Sequence, residues 1–156
     1  MTVYLRNEHP DIIIDTLDID KKVQIVMNCL DCLDQEISIL FMEDEDIRKL
    51  NKEFRNVDKP TDVLSFPQNS EEDPSIPEKI VLGDIAISLD KAKTQAKEHG
   101  LVFNEEIILL LIHGILHLLG YDHEISDQEE IKMRNKTREL FNKIFPETIL
   151  IDSVNF

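Results

Sequence analysis

Residues 105–123 read EEIILLLIHGILHLLGYDH. From Ile107 to Leu119, only His113, Gly114 and His117 interrupt an apolar run of 13 residues. The run predicts a helix over Glu105–Leu119, started at Asn104 and closed by Gly120, and apolar on nearly every side. Such a helix must lie inside a core, because a run of 13 residues is well short of the roughly 20 apolar ones that a membrane span needs.

Outward from it, the chain supplies what that helix can pack on. Val3–Arg6 reads as a short strand, and Glu36–Met42, EISILFM, alternates as a strand does. DVLSFP at 62–67 and VLGDIAIS at 81–88 are two more strands, joined by a loop, Gln68–Lys79, with two prolines and four acids. Asp20 is placed to cap a helix running to about Leu33. Asp44–Arg55 has acids in its first turn and bases later, the order that the helix dipole favours, and Pro60 fixes a turn after it. A helix over Leu89–Glu98 ends at Gly100, and Ser126 with Glu129 forms a capping box for a last helix to Phe145, stopped by Pro146. Strands fall early and helices late, so the fold class is α+β. The 156 residues match one domain at a working figure of about 150 per domain.

Composition limits the partners. Against 17 Lys and Arg stand 32 Asp and Glu, a net charge of −15, with 42% hydrophobic residues. A chain so acidic repels nucleic acid and anionic membrane broadly, which excludes nonspecific coating of polyanions but leaves room for one local site. The N-terminus, MTVYLRNEHP, lacks the layout of a signal peptide. Cys29 and Cys32 form a C-x-x-C inside the helical pattern Val23, Val26, Cys29, Leu30, Leu33, and read as two small core residues. With no second pair there is no zinc ribbon, and free thiols point to a reducing, cytoplasmic compartment.

The chemistry concentrates in HGILHLLGYDH. His113 and His117 are four apart on the predicted helix, so their imidazoles leave one face a turn apart and can share a metal. Gly120 can turn the chain so that His123 reaches the same ion. Three neutral imidazoles with a fourth position for water are the pattern of catalytic zinc, here one ion per chain. The spacing follows the zinc-protease signature H-E-x-x-H-x-x-G-x-x-H except that Gly114 stands where that signature has the general base. Gly114 therefore implies close approach of another backbone, or room for substrate, and it disfavours a zincin-like peptidase.

Residues 48–61, RKLNKEFRNVDKPT, carry five bases against two acids, a net +3 in an acidic chain. Arg48, Lys52 and Arg55 share a helix face. Arg55, at the helix end, is the candidate to grip phosphate oxygens with its planar fork.

HGILHLLGYDH, together with LNKEFRNVDKPTDVLSFP and LGDIAIS in that order, closely resembles the YbeY family of bacterial rRNA maturation factors, over about Glu36 to Leu140. The resemblance implies a single-strand-specific, metal-dependent endoribonuclease acting in ribosome assembly and quality control, notably in forming the 3′ end of 16S rRNA. It implies a small mixed sheet packed with helices, one of them a zincin-like metal helix. His113, His117 and His123 would be the zinc ligands, and Arg55 the family's functionally important arginine, so that Arg55 and His113 are the candidate catalytic residues. Asp62 and Asp84 fall in matching blocks, where fixing a loop or orienting a ligand histidine suits them as well as catalysis. The partners expected are single-stranded rRNA and the small ribosomal subunit or its proteins, with neither membrane nor DNA among them. Two alternatives compete: a zinc-containing assembly factor that does not cut, and the peptidase.

Overall fold

The computed structural model describes residues 3–68, 81–122 and 124–150. Strand β1 (Val3–Asn7) leads through helix α1 (Thr16–Cys29) to β2 (Glu36–Met42) and α2 (Asp44–Arg55). Then come β3 (Val63–Pro67), β4 (Val81–Ser88), α3 (Leu89–His99), α4 (Phe103–Leu118) and α5 (Asp127–Ile144). The sheet order is β1-β2-β4-β3, with β1, β2 and β4 parallel and β3 antiparallel to β4. This is the α+β domain expected, with a mixed four-stranded sheet.

The central strands are apolar on the face toward α1, α3, α4 and α5 and mixed on the other, where Ser38 and Asp84 stand among Leu40, Met42 and Ala86. Ile37, Ile39 and Phe41 of β2, with Ile85 and Ile87 of β4, face a core shared with α1, α3, α4 and α5. On the opposite face, Met42, Leu64 and Ala86 pack with Ile47 of α2. Helix α4 is the centre of the larger layer, with 11 of its 16 positions buried. Burying a Leu or Ile side chain contributes about 1.5–3 kcal/mol, so this helix dominates the core's cohesion.

Three predicted boundaries shift: α4 starts at Phe103 with Asn104 inside it, and α1 moves at both ends. Helix α1 starts at Thr16, because Asp15 accepts the Asp18 amide at 3.1 Å, while Asp20 lies inside the helix and takes Gln24 as a partner. It stops before Leu33, where Asp31 adopts a left-handed conformation (φ 56°). Cys29 is half-buried and Cys32 buried, both as free thiols. Burial, with Asp34 and Asp31 nearby, pushes the Cys32 thiol up to about 11, the opposite of a redox-active cysteine. Of the predicted loop Gln68–Lys79, all but Gln68 lies outside the described residues. Among the described residues no single helix is long and apolar enough to cross a membrane.

Candidate active site

His113 and His117 are half-buried positions on an otherwise buried face of α4, and both open into a cleft of about 690 Å³. Their Nε2 atoms stand 3.0 Å apart, with the rings at 70°. A tetrahedral zinc bound at about 2.0–2.1 Å holds two ligand nitrogens about 3.3 Å apart, so a few tenths of an ångström separate this pair from a shared ion. Two imidazole nitrogens converging in this way fit a shared metal ion. After α4, Gly120 takes φ 98° and its amide bonds to the His117 carbonyl at 3.0 Å, so the chain turns back where the sequence reading places a turn. His123 lies outside the described residues. Among those described, no three His, Cys, Asp or Glu side chains form a group that could hold a metal ion.

Gly114 has a different reason from either one expected. A Cβ there would meet Ile85 Cδ1 at 2.9 Å, Ile85 Cγ2 at 3.2 Å and Ser65 Oγ at 3.3 Å. The neighbour is thus the side-chain layer of the sheet, neither backbone nor substrate space. The Ser65 hydroxyl donates to the Gly114 carbonyl at 3.2 Å, which ties helix α4 to strand β3. A glutamate at 114 would be driven into Ile85, so the geometry opposes the peptidase reading as the sequence does.

Arg55 reaches the cleft from the other layer. It is the last residue of α2, and Asn56 caps the helix with φ 59°, its amide on the Lys52 carbonyl at 3.1 Å. Asparagine tolerates this left-handed conformation better than most residues. The sharp turn is held by the buried Asn51, whose amide donates to the Lys59 carbonyl at 2.8 Å. Of the three basic residues on that face, Arg48 is bound to Glu45 and Asp58, and Lys52 is 3.9 Å from Asp58. Arg55 lines the cleft with Val57, Thr61 and Asp62.

Asp62 fixes its own loop, accepting the Val63 amide at 2.8 Å and the Thr61 hydroxyl at 3.4 Å, both on Oδ1. Asp84 is not in the cleft. It takes the Gln68 amide at 3.2 Å and lines a separate groove with Arg6 and Ser38.

The sequence reading missed Glu106. It lies two turns before His113 on the same face of α4, lines the cleft wall and is fully buried, its carboxylate 2.8 Å from His99 Nδ1. Burial raises its pKa above the usual carboxylate range, against the opposing pull of His99. The spacing of seven from a ligand candidate was the available signal, and the double Glu105-Glu106 masked it as an ordinary acidic first turn. Asp122, Glu124 and Glu130 complete an acidic rim at the histidine end.

The family model described as Endoribonuclease YbeY matches residues 4–145, a longer span than the motif blocks. A protein named Endoribonuclease YbeY from Persephonella marina is 48% identical over 126 residues, 81% of each chain. One of that name from Syntrophus aciditrophicus is 39% identical over 142 residues, covering 90% of this chain and 88% of its own. The solution structure of a Thermotoga maritima protein superposes with a TM-score of 0.65 at 29% identity, covering 93% of this chain and 90% of that one.

Proposed function

Because this chain belongs to the Endoribonuclease YbeY family, whose members are named as hydrolases of RNA, we propose that it cuts single-stranded rRNA at a zinc site formed by His113, His117 and His123, with Arg55 on the scissile phosphate. The observation that carries this reading is the 3.0 Å convergence of the His113 and His117 nitrogens in the cleft that Arg55 also lines. Zinc bound there supplies Lewis acidity toward a phosphoryl oxygen and lowers the pKa of water toward about 7.

The chain's own residues do the rest. His113 and His117 serve as neutral donors held by core packing on α4, so little reorganisation accompanies reaction. Arg55 grips nonbridging oxygens and offsets the charge that grows on them. Leu109, Leu110 and Val63 give the cleft apolar walls that limit water and strengthen these contacts. The nucleophile is a water or the 2′-hydroxyl of the RNA itself, and end-group analysis separates them, because a 2′,3′-cyclic phosphate belongs only to the second.

The substrate is the 3′ region of 16S rRNA, met on the small subunit or its proteins. The acidic rim and the net charge of −15 leave few phosphate contacts, so free RNA binds weakly and with a shallow salt slope. Elemental analysis of tag-free wild type and His117→Ala, paired with cleavage of a single-stranded rRNA fragment, tests the proposal. About one zinc per chain, lost together with cleavage in the variant, is expected. Zinc without cleavage in the wild type would leave the assembly-factor alternative, and no zinc would remove the metal from the mechanism.

A further inference from the structure

The cleft has a second end that the phosphate chemistry does not use. Counted along α4, Glu106 precedes His113 by seven residues, a rise of about 10 Å. At that end stand Thr61, Asp62 and Gln95, beside the apolar Leu109. Polar side chains gathered beside an apolar one offer a small ligand hydrogen bonds at its edge and a face to lie on.

Both polar side chains are held and available. Gln95 and His99 are one turn apart on α3, and His99 is pinned to the buried Glu106 at 2.8 Å, which fixes that face of α3 against α4. Gln95 is half-buried and its amide has no hydrogen-bond partner among the described residues. Asp62 lines the cleft, and its hydrogen bonds among the described residues fall on Oδ1, none on Oδ2. Glu106, fully buried and bound to His99, is wall and not ligand.

We infer that Thr61, Asp62 and Gln95 form a nucleobase subsite that selects bases bearing an exocyclic amino group, adenine, cytosine or guanine, over uracil. The inference rests on the endoribonuclease reading. Single-stranded RNA presents its Watson–Crick edges to protein, and a carboxylate can only accept. Amino groups of adenine, cytosine and guanine donate to it, as an acid accepts from cytosine and a glutamine pairs with adenine in duplex readout. Uracil offers one N–H between two carbonyl oxygens, which meet the Asp62 carboxylate with like charge. A site whose polar groups are left unpaired by the wrong ligand rejects it strongly. The distance along α4 makes the base read here a neighbour of the scissile phosphate.

The test is cleavage of a single-stranded RNA pool with randomised positions, followed by sequencing of the ends. For the wild type, adenine, cytosine and guanine together should exceed uracil by about tenfold at one position fixed relative to the cut. Asp62→Asn, which adds donors, should bring uracil up, and Gln95→Leu should flatten the bias to about threefold or less. Melting curves show whether each variant folds, and Gln95→Leu, which removes no hydrogen bond among the described residues, decides the matter if Asp62→Asn does not. A wild type that cuts without positional bias, or a bias kept by both variants, overturns the subsite alone. A wild type that cuts no RNA overturns the endoribonuclease reading and the subsite with it.

Discussion

Helices α4 and α2 both deliver residues to one cleft, by opposite means. Eleven of 16 positions of α4 are buried, and its two histidines hold their places because everything around them is packed. On α2 only Ile47 and Asn51 are buried, and Arg55 is placed by the turn that follows it. One helix positions chemistry by volume, the other by backbone conformation. The cleft thus has a stiff side and an exposed side, and mutations on the two should differ in kind.

The largest effect belongs to the stiff side. His113→Ala should lower RNA cleavage by at least about 10³-fold, since the metal's contribution is several kcal/mol, and zinc content measured on the same sample should fall with it. Retained zinc in that variant would break the comparison at its centre. Next, Gly114→Glu, which restores the protease signature, places a charged side chain where Ile85 Cδ1 is 2.9 Å from a bare Cβ. It should destabilise the fold by about 3 kcal/mol or more, a fall in melting temperature of roughly 10 °C, without peptidase activity. A variant as stable as wild type would show that α4 is looser than its packing suggests.

Arg55→Ala sharpens the contrast, because this side chain is exposed at a helix end. Cleavage should drop by about 10²-fold while melting temperature and zinc content stay at wild-type values.

The smallest effects are in pH dependence, and the two helices should show opposite signs. Burial holds Glu106 of α4 above the usual carboxylate pKa, so its contribution to stability is present below the unfolded pKa and is lost as pH rises through the folded one. Between pH 4 and 7, Glu106→Gln should therefore lose less stability with rising pH than wild type does. Glu45 of α2 is held below its ordinary value by Arg48, so its contribution is present at neutral pH and lost as pH falls through the folded pKa. Being fully exposed, that pair should shift acid melting curves only slightly in Glu45→Gln. Matching slopes for the two variants would remove the distinction.

Legibility in the sequence followed the same divide. Strand β2 and helix α2 were read to the residue, Glu36–Met42 and Asp44–Arg55, because alternation and an acid-to-base charge order are local signals. Helix α1 was started too late, since Asp15 and Asp20 are equal as caps by residue type, and only the observed Asp15 to Asp18 bond separates them. Gly114 was recognised as anomalous and given the wrong neighbour, because Ile85 is distant in sequence and adjacent only across the sheet. Glu106 offered only its spacing of seven from His113, because its partner His99 is set by how α3 docks on α4.

The sequence by itself determined the α+β class, the helix that must be buried, the histidine pair on one of its faces, and the family, since each depends on spacing along the chain. Tertiary structure alone decided that Arg55 meets those histidines in one cleft while Asp84 lies outside it. It also decided that Arg48 is taken up by Glu45 and Asp58, and that Glu106 is buried against His99. Residues of one type acquire different roles there because burial and partners are set by which faces of separate elements come together, and no local pattern encodes that.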